Sequence, residues 1–177
     1  MAEQLRWGIL GTGNIARQFA DGVLRTARRS RIVAVGSRTS EAAEIFARAR
    51  EITASHASYD ALMADPNVDA IYNSLPNSLH HEWTIKALRA GKHVLCEKPF
   101  ALTRSQSVEM FDAARKANKV LVEAFMYRSH PLTHAVIDAV RAGEIGDVRM
   151  IRTSFCYKTS RVDGNVRFQP EIGRAHV

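Results

Sequence analysis

The sequence has 177 residues, 46% of them hydrophobic, and sets 25 Lys and Arg against 18 Asp and Glu for a formal charge of +7. That length suits one full domain with part of a second, and a core of this size requires no disulfide or metal staple. The composition excludes a disordered or fibrous chain, no apolar run approaches the ~20 residues of a membrane span, and the opening MAEQLRWGILG does not read as a secretory signal.

Short β-rich runs alternate with helical patterns along most of the chain. Strands are predicted at 5–10, 31–37, 54–56, 69–75, 93–97 and 119–125. Between them apolar residues recur at helical spacing: Ile15, Phe19 and Val23, then Ala42, Ile45, Phe46 and Ala49, then Leu79, Trp83 and Ala87. A helix over 103–118 opens with the capping-box pattern Thr103-Arg104-Ser105-Gln106 and is expected to bury Val108, Phe111 and Ala114. Successive βα steps with mostly apolar strands predict an α/β fold, a Rossmann-type doubly wound parallel sheet with helices on both faces.

From Tyr127 the pattern changes. A helix over 132–142 leads into the turn-rich link Gly143-Glu144-Ile145-Gly146-Asp147, and 148–157 then alternates like a strand. The expected organisation is a nucleotide-binding domain at 1–126 and, at 127–173, the start of an incomplete α+β domain with an open, mostly antiparallel sheet. Glu171–Val177 read as the translation of a sequencing adapter (GAG ATC GGA AGA GCA CAC GTC), so 174–177 are expected to be a non-native read-through tail.

The basic charge is spread out, with only the short Arg28-Arg29-Ser30-Arg31 cluster and no interleaved aromatics. It reads as a solvated surface that attracts an anionic ligand, and nucleic acid and membrane partners are not expected. Cys96 and Cys156 form no CxxC and read as small buried residues of a reduced, cytoplasmic protein.

Four places carry chemistry. Strand 5–10 runs into Gly11-Thr12-Gly13-Asn14-Ile15-Ala16, a G-x-G-x-x-A turn that opens a helix. Gly11 permits the tight turn, Gly13 lets the backbone approach a pyrophosphate, Ala16 allows close helix packing, and the helix N-terminus attracts the phosphates. After the second strand stands Gly36-Ser37-Arg38-Thr39-Ser40, with no carboxylate to repel a 2′-phosphate. Arg38 and the Ser37 hydroxyl suit that phosphate, so NADP is the expected cofactor, with NAD as the alternative. Glu97-Lys98-Pro99 closes the fifth strand, where Lys98 is placed as an acid/base group. Leu75-Pro76-Asn77 and His80 follow the fourth strand, from which Asn77 and His80 are expected to reach the nicotinamide ribose. No metal site is expected: His130 and His134 lack a third ligand, and His80 and His81 point different ways on a helix.

G-T-G-N-I-A at 11–16, S-L-P-N-S-L-H at 74–80, C-E-K-P at 96–99, E-A-F-M-Y-R at 123–128 and G-E-I-G at 143–146 together resemble the Gfo/Idh/MocA (glucose–fructose oxidoreductase / inositol dehydrogenase) family. The likeness is greatest to its branch of NADP-dependent xylose and dihydrodiol dehydrogenases. The resemblance implies an NADP-dependent oxidoreductase acting on a secondary alcohol of a sugar or cyclic diol. Lys98 would lie near both nicotinamide and substrate, Glu97, Asn77 and His80 at the cofactor, and Tyr127 and Arg128 on the substrate side. It also implies a second acid/base and a homo-oligomerising sheet beyond this chain, which alone is then expected to be inactive. The rival reading is an NADP-binding sensor without turnover, and the presence of Lys98 favours the enzyme.

Overall fold

The computed structural model describes residues 4–156, Lys158 and Phe168. Its elements in order are β1 (Leu5–Leu10), α1 (Asn14–Thr26), β2 (Ser30–Gly36), α2 (Ser40–Arg48), β3 (Ala54–His56), α3 (Tyr59–Met63), β4 (Ala70–Asn73), α4 (His80–Arg89), β5 (His93–Cys96), α5 (Arg104–Ala117), β6 (Leu121–Glu123) and α6 (Pro131–Arg141). Single 3₁₀ turns at Asn77–Leu79 and Met126–Ser129 precede α4 and α6. The strands form one sheet in the order β3-β2-β1-β4-β5-β6, and every neighbouring pair is parallel. This is the Rossmann order, with its reversal between β1 and β4.

Burial on both faces explains why the strands read as nearly continuous apolar runs. Successive residues divide between two cores: Ile9 and Tyr72 pack under α1 and α2, while Leu10 and Ile71 pack under α3, α4 and α5. Small residues, Ala16 and Ala20, let α1 approach the sheet, and both are fully buried.

The phase of two helices differs from expectation. On α5 the buried residues are Met110 and Ala114, whereas Val108 is 46% and Phe111 44% exposed. Two positions turn a helix by about 200°, so burying Met110 sends Val108 to the far side, and Phe111 rests on the flank beside Phe100. On α2 the core takes Ala43, Phe46 and Ala47 and leaves Ile45 in solvent. The cap of α5 forms: Thr103 Oγ1 accepts the Gln106 N–H, while Gln106 Oε1 reaches the N–H of Leu102. Asn118 closes the helix in the left-handed conformation.

Beyond β6, α6 forms with Pro131 in its first turn and His130 Nδ1 accepting the Leu132 N–H, yet none of its residues is buried. The strand expected at 148–157 does not form over 148–156, where the described residues offer no neighbouring ladder to complete its hydrogen bonds. Tyr157 and the tail at 174–177 lie outside the described residues. Cys96 is buried, but Cys156 is exposed, against expectation. Among the described residues no helix is long and apolar enough to cross a membrane.

The register of α5 can be checked directly: Met110→Ala should cost about 2–4 kcal/mol in urea unfolding, and Val108→Ala less than about 1 kcal/mol. At the foot of the sheet, Arg6 clasps Asp69 through Nε–Oδ2 at 2.9 Å and Nη2–Oδ1 at 2.6 Å. The Arg6 hydrogen bonds hold the Asp69 carboxyl below its ordinary value. A depressed carboxyl stabilises the fold above its unfolded pKa, and this contribution is lost as pH falls through the lower folded value. Thermal melts should therefore show a stability loss setting in below about pH 4 that Asp69→Asn reduces.

Candidate functional site

Neighbouring crossovers leave the sheet in opposite directions between β1 and β4, so the strand ends there stay uncovered. A crevice of about 710 Å³ occupies that place, walled by the turns that follow β1, β2, β4 and β5. At its first wall, Gly11 donates its N–H to Gly36 O at 2.9 Å with φ at +89°. A Cβ there would stand 3.1 Å from Leu75, so conformation and space both call for glycine. Thr12, Gly13, Asn14 and Ile15 complete this wall. Gly13 begins α1 without any side-chain cap, so the first N–H groups of the helix remain free for an anion. A Cβ on Gly13 would meet nothing within 4 Å and would occupy only the cradle itself.

The second wall holds Ser37 and Arg38. Ser37 is buried and donates its N–H to His56 O, whereas the Arg38 side chain is exposed. Tyr59 joins Arg38 there, its ring edge-on to Trp83 with centroids 4.9 Å apart. Burial raises the pKa of the Tyr59 phenol, and the Arg38 charge offsets part of that rise.

The third wall rests on buried polar groups. Asn73 accepts the Leu75 N–H on Oδ1 and donates through Nδ2 to His80 O and Thr84 Oγ1. Ser74 ties the same loop to Leu10 O at 2.6 Å. Leu75, Pro76 and Asn77 are thereby held against the crevice. Asn77 is 5% exposed, and its Nδ2 has no hydrogen-bond partner among the described residues. A buried donor left open on a crevice wall fits a ligand acceptor such as a ribose hydroxyl.

His80 departs from its expected role. It is fully buried beneath the crevice, with Nε2 2.8 Å from Leu75 O and Nδ1 2.9 Å from Pro99 O. Burial pushes its pKa down, and a neutral ring donates to one of these carbonyls at a time. The imidazole cannot also reach a cofactor, because both nitrogens face the backbone. It is a support of the loops that do.

At the fourth wall stand Glu97 and Lys98, both half-buried. The Glu97 N–H donates to Asn73 O at 3.0 Å, extending the β4–β5 ladder to the crevice floor. Phe100, just beyond, is fixed by its N–H to Glu123 Oε1. Tyr127 and Arg128 are not brought to this crevice: they lie in the exposed turn after β6, where the Tyr127 ring leans on Phe125.

Gln18, Tyr59, Ser74 and Leu79 line the crevice without having been singled out in the sequence. Gln18 stands one helical turn after Asn14, and Ser74 and Leu79 lie inside the 74–80 motif, so spacing carries a signal for these three. Tyr59 reaches the site only through α3, which has too few residues to show a period.

The sheet order, the free helix N-terminus and the glycine turn define a dinucleotide-binding domain of Rossmann type. The family described as "Oxidoreductase family, NAD-binding Rossmann fold" matches residues 5–125. The chain belongs to this Gfo/Idh/MocA family of oxidoreductases. It is 35% identical over 173 residues to D-xylose 1-dehydrogenase (NADP(+)) 2 of Haloferax volcanii, covering 98% of this chain and 53% of that protein. With the trans-1,2-dihydrobenzene-1,2-diol dehydrogenase of Xenopus laevis it shares 37% identity over 151 residues, 85% of this chain and 46% of that protein. A crystal structure of KijD10, a 3-ketoreductase from Actinomadura kijaniata in complex with NADP and TDP-benzene, superposes with a TM-score of 0.82. That match has 33% identity and covers 97% of this chain and 52% of the other. The chain spans about half the length of the curated relatives it matches.

Proposed function

We propose that this chain is the cofactor-binding half of an NADP-dependent oxidoreductase that interconverts a secondary alcohol of a sugar or cyclic diol with its ketone. One observation carries the reading: Lys98 shares a single crevice with the open glycine turn and with Arg38. A relative named as an NADP(+)-dependent xylose dehydrogenase, another named as a dihydrodiol dehydrogenase and a ketoreductase solved with NADP support it.

The walls fit the dinucleotide in order. The Arg38 guanidinium and Ser37 take the 2′-phosphate; the absence of any carboxylate in 37–40 favours NADP over NAD. The free N–H groups of α1 and the Gly13 backbone hold the pyrophosphate, with Thr12, Asn14 and Ile15 alongside. Leu75, Pro76 and the open Asn77 Nδ2 receive the nicotinamide ribose, and Glu97 and Lys98 stand at the nicotinamide end. When bound, the nicotinamide supplies or accepts the hydride. Lys98 Nζ moves the accompanying proton: as ammonium it donates to the carbonyl oxygen being reduced, and as amine it accepts from the hydroxyl being oxidised.

Residues from Tyr127 onward are proposed to begin a substrate-binding and dimerisation domain, with Tyr127 and Arg128 on the substrate side. The exposed apolar face of α6, with Leu132 65% and Val136 54% accessible, supports this division. A cytoplasmic homo-oligomer acting on a small molecule completes the proposal.

Arg38→Asp should weaken NADP binding by about 2–4 kcal/mol in a fluorescence titration and leave NAD binding little changed. Equal losses for both cofactors would remove Arg38 from the phosphate site. Assayed in the longest reading frame that contains this sequence, Lys98→Ala should lower turnover of a sugar or diol roughly 10²–10⁴-fold while NADP affinity stays within a few-fold. Near-normal turnover would remove Lys98 from the chemistry, and an unaltered protein that binds NADP but turns over no sugar or diol would favour a sensor.

A further inference from the structure

Tyr72 is 2% exposed, and its ring stacks on Phe19 of α1 with centroids 3.9 Å apart and 19° between planes. From this packed position its hydroxyl donates to Glu97 Oε1 at 2.7 Å. The other carboxylate oxygen, Oε2, accepts the backbone N–H of Lys98 at 3.2 Å. Burial, and after it the hydrogen bond to Glu97, push the Tyr72 hydroxyl well above its ordinary value, so it remains a donor. Both Glu97 oxygens are thus engaged from the protein side. A carboxylate offers about four lone-pair sites, so acceptor capacity remains, on a side chain that lines the crevice beside Lys98. Among the described residues no ion pair joins Glu97 to Lys98. Without the phenol, the Glu97 carboxylate would be free to turn to solvent or to the Lys98 ammonium.

We propose that Tyr72 is a positioning residue: it holds the Glu97 carboxylate at the nicotinamide end of the crevice, where the remaining lone pairs accept the N–H₂ of the carboxamide. The carboxamide carries the only N–H donors of the nicotinamide nucleoside, and a fixed carboxylate is the matching acceptor. Tyr72 touches neither cofactor nor substrate; it acts through Glu97. The inference rests on the NADP reading above and deepens it.

The test uses two ligands that differ in reach. On that reading NADPH spans the whole crevice, whereas adenosine 2′,5′-bisphosphate reaches only from the Arg38 end to the glycine turn and lacks the nicotinamide half. Both are titrated against the unaltered chain, Tyr72→Phe, Glu97→Ala and the double variant, with thermal melts to follow folding. Tyr72→Phe keeps the stacked ring and loses one hydroxyl. It should weaken NADPH roughly 10-fold and leave the bisphosphate within about 2-fold, and in the Glu97→Ala background it should produce no further loss. Equal weakening of both ligands would make the effect merely structural and overturn the proposal. A full Tyr72→Phe effect in the absence of Glu97 would overturn it as well. If the unaltered chain binds both ligands and Tyr72→Phe changes neither, this inference falls and the NADP reading stands. If the unaltered chain binds neither ligand, the NADP reading itself falls, and this inference with it.

Discussion

The loop that follows β4 crosses the strand ends beside the reversal of strand order, and it must present a fixed wall to a ligand while having little regular structure of its own. It is held from below. Asn73, His80 and Thr84 are fully buried and spend their polar atoms on the backbone and on each other. Leu75 is gripped by both its backbone polar groups, its N–H by Asn73 and its carbonyl facing His80. The other ring nitrogen of His80 faces Pro99, next to Lys98, so a single buried side chain lies between the two loops that carry Asn77 and Lys98. An apolar residue of similar volume at 80 would fill the space yet remove the one N–H that the neutral ring donates to a buried carbonyl, at a cost of about 1–3 kcal/mol. The polar character of this cluster is therefore a structural requirement of the crevice.

Where the sequence was legible, the physical rules in play all asked for the same residues. Burial on both faces makes the strands continuous apolar runs, so β1 and β3 appear at their expected bounds and the other strands within a few residues. The glycine turn was legible because a positive φ and a phosphate cradle each demand the same residue. Legibility failed where two readings share one pattern. On α5, Ala114 is buried as expected, but Val108 with Phe111 and Met110 alone each stand at helical spacing from it, and only packing in the core that holds Trp83 and Phe100 selects Met110. The alternation over 148–157 satisfies the strand period, but a ladder needs a neighbour that alternation alone does not supply.

The crevice residues show the same division. Those singled out at 11–15, 37–38, 75–77 and 97–98 line its walls. His80 does not, because a histidine beside a strand end can point up into the ligand space or down into the core, and sequence distance is the same either way. Tyr59 was missed for the opposite reason. It is remote in sequence from Arg38, and the five-residue helix that delivers it is capped by Ser58 with too few residues to reveal a face.

The two ends of the crevice are built to different tolerances. Arg38 directly precedes the cap of α2, where Thr39 accepts the Ala42 N–H, so its backbone is anchored while its side chain lies in solvent. Replacing that exposed side chain leaves the buried core in place, so on the proposed reading a cofactor phosphate is recognised or refused by surface chemistry alone. At the opposite end, Glu97 is tied to Tyr72 and to the Lys98 N–H, and Tyr72 in turn is packed under Phe19. A change there reaches the core at once. On the proposed reading, choice of cofactor is thus physically separable from the chemistry assigned to Lys98, although both ends belong to one continuous cleft.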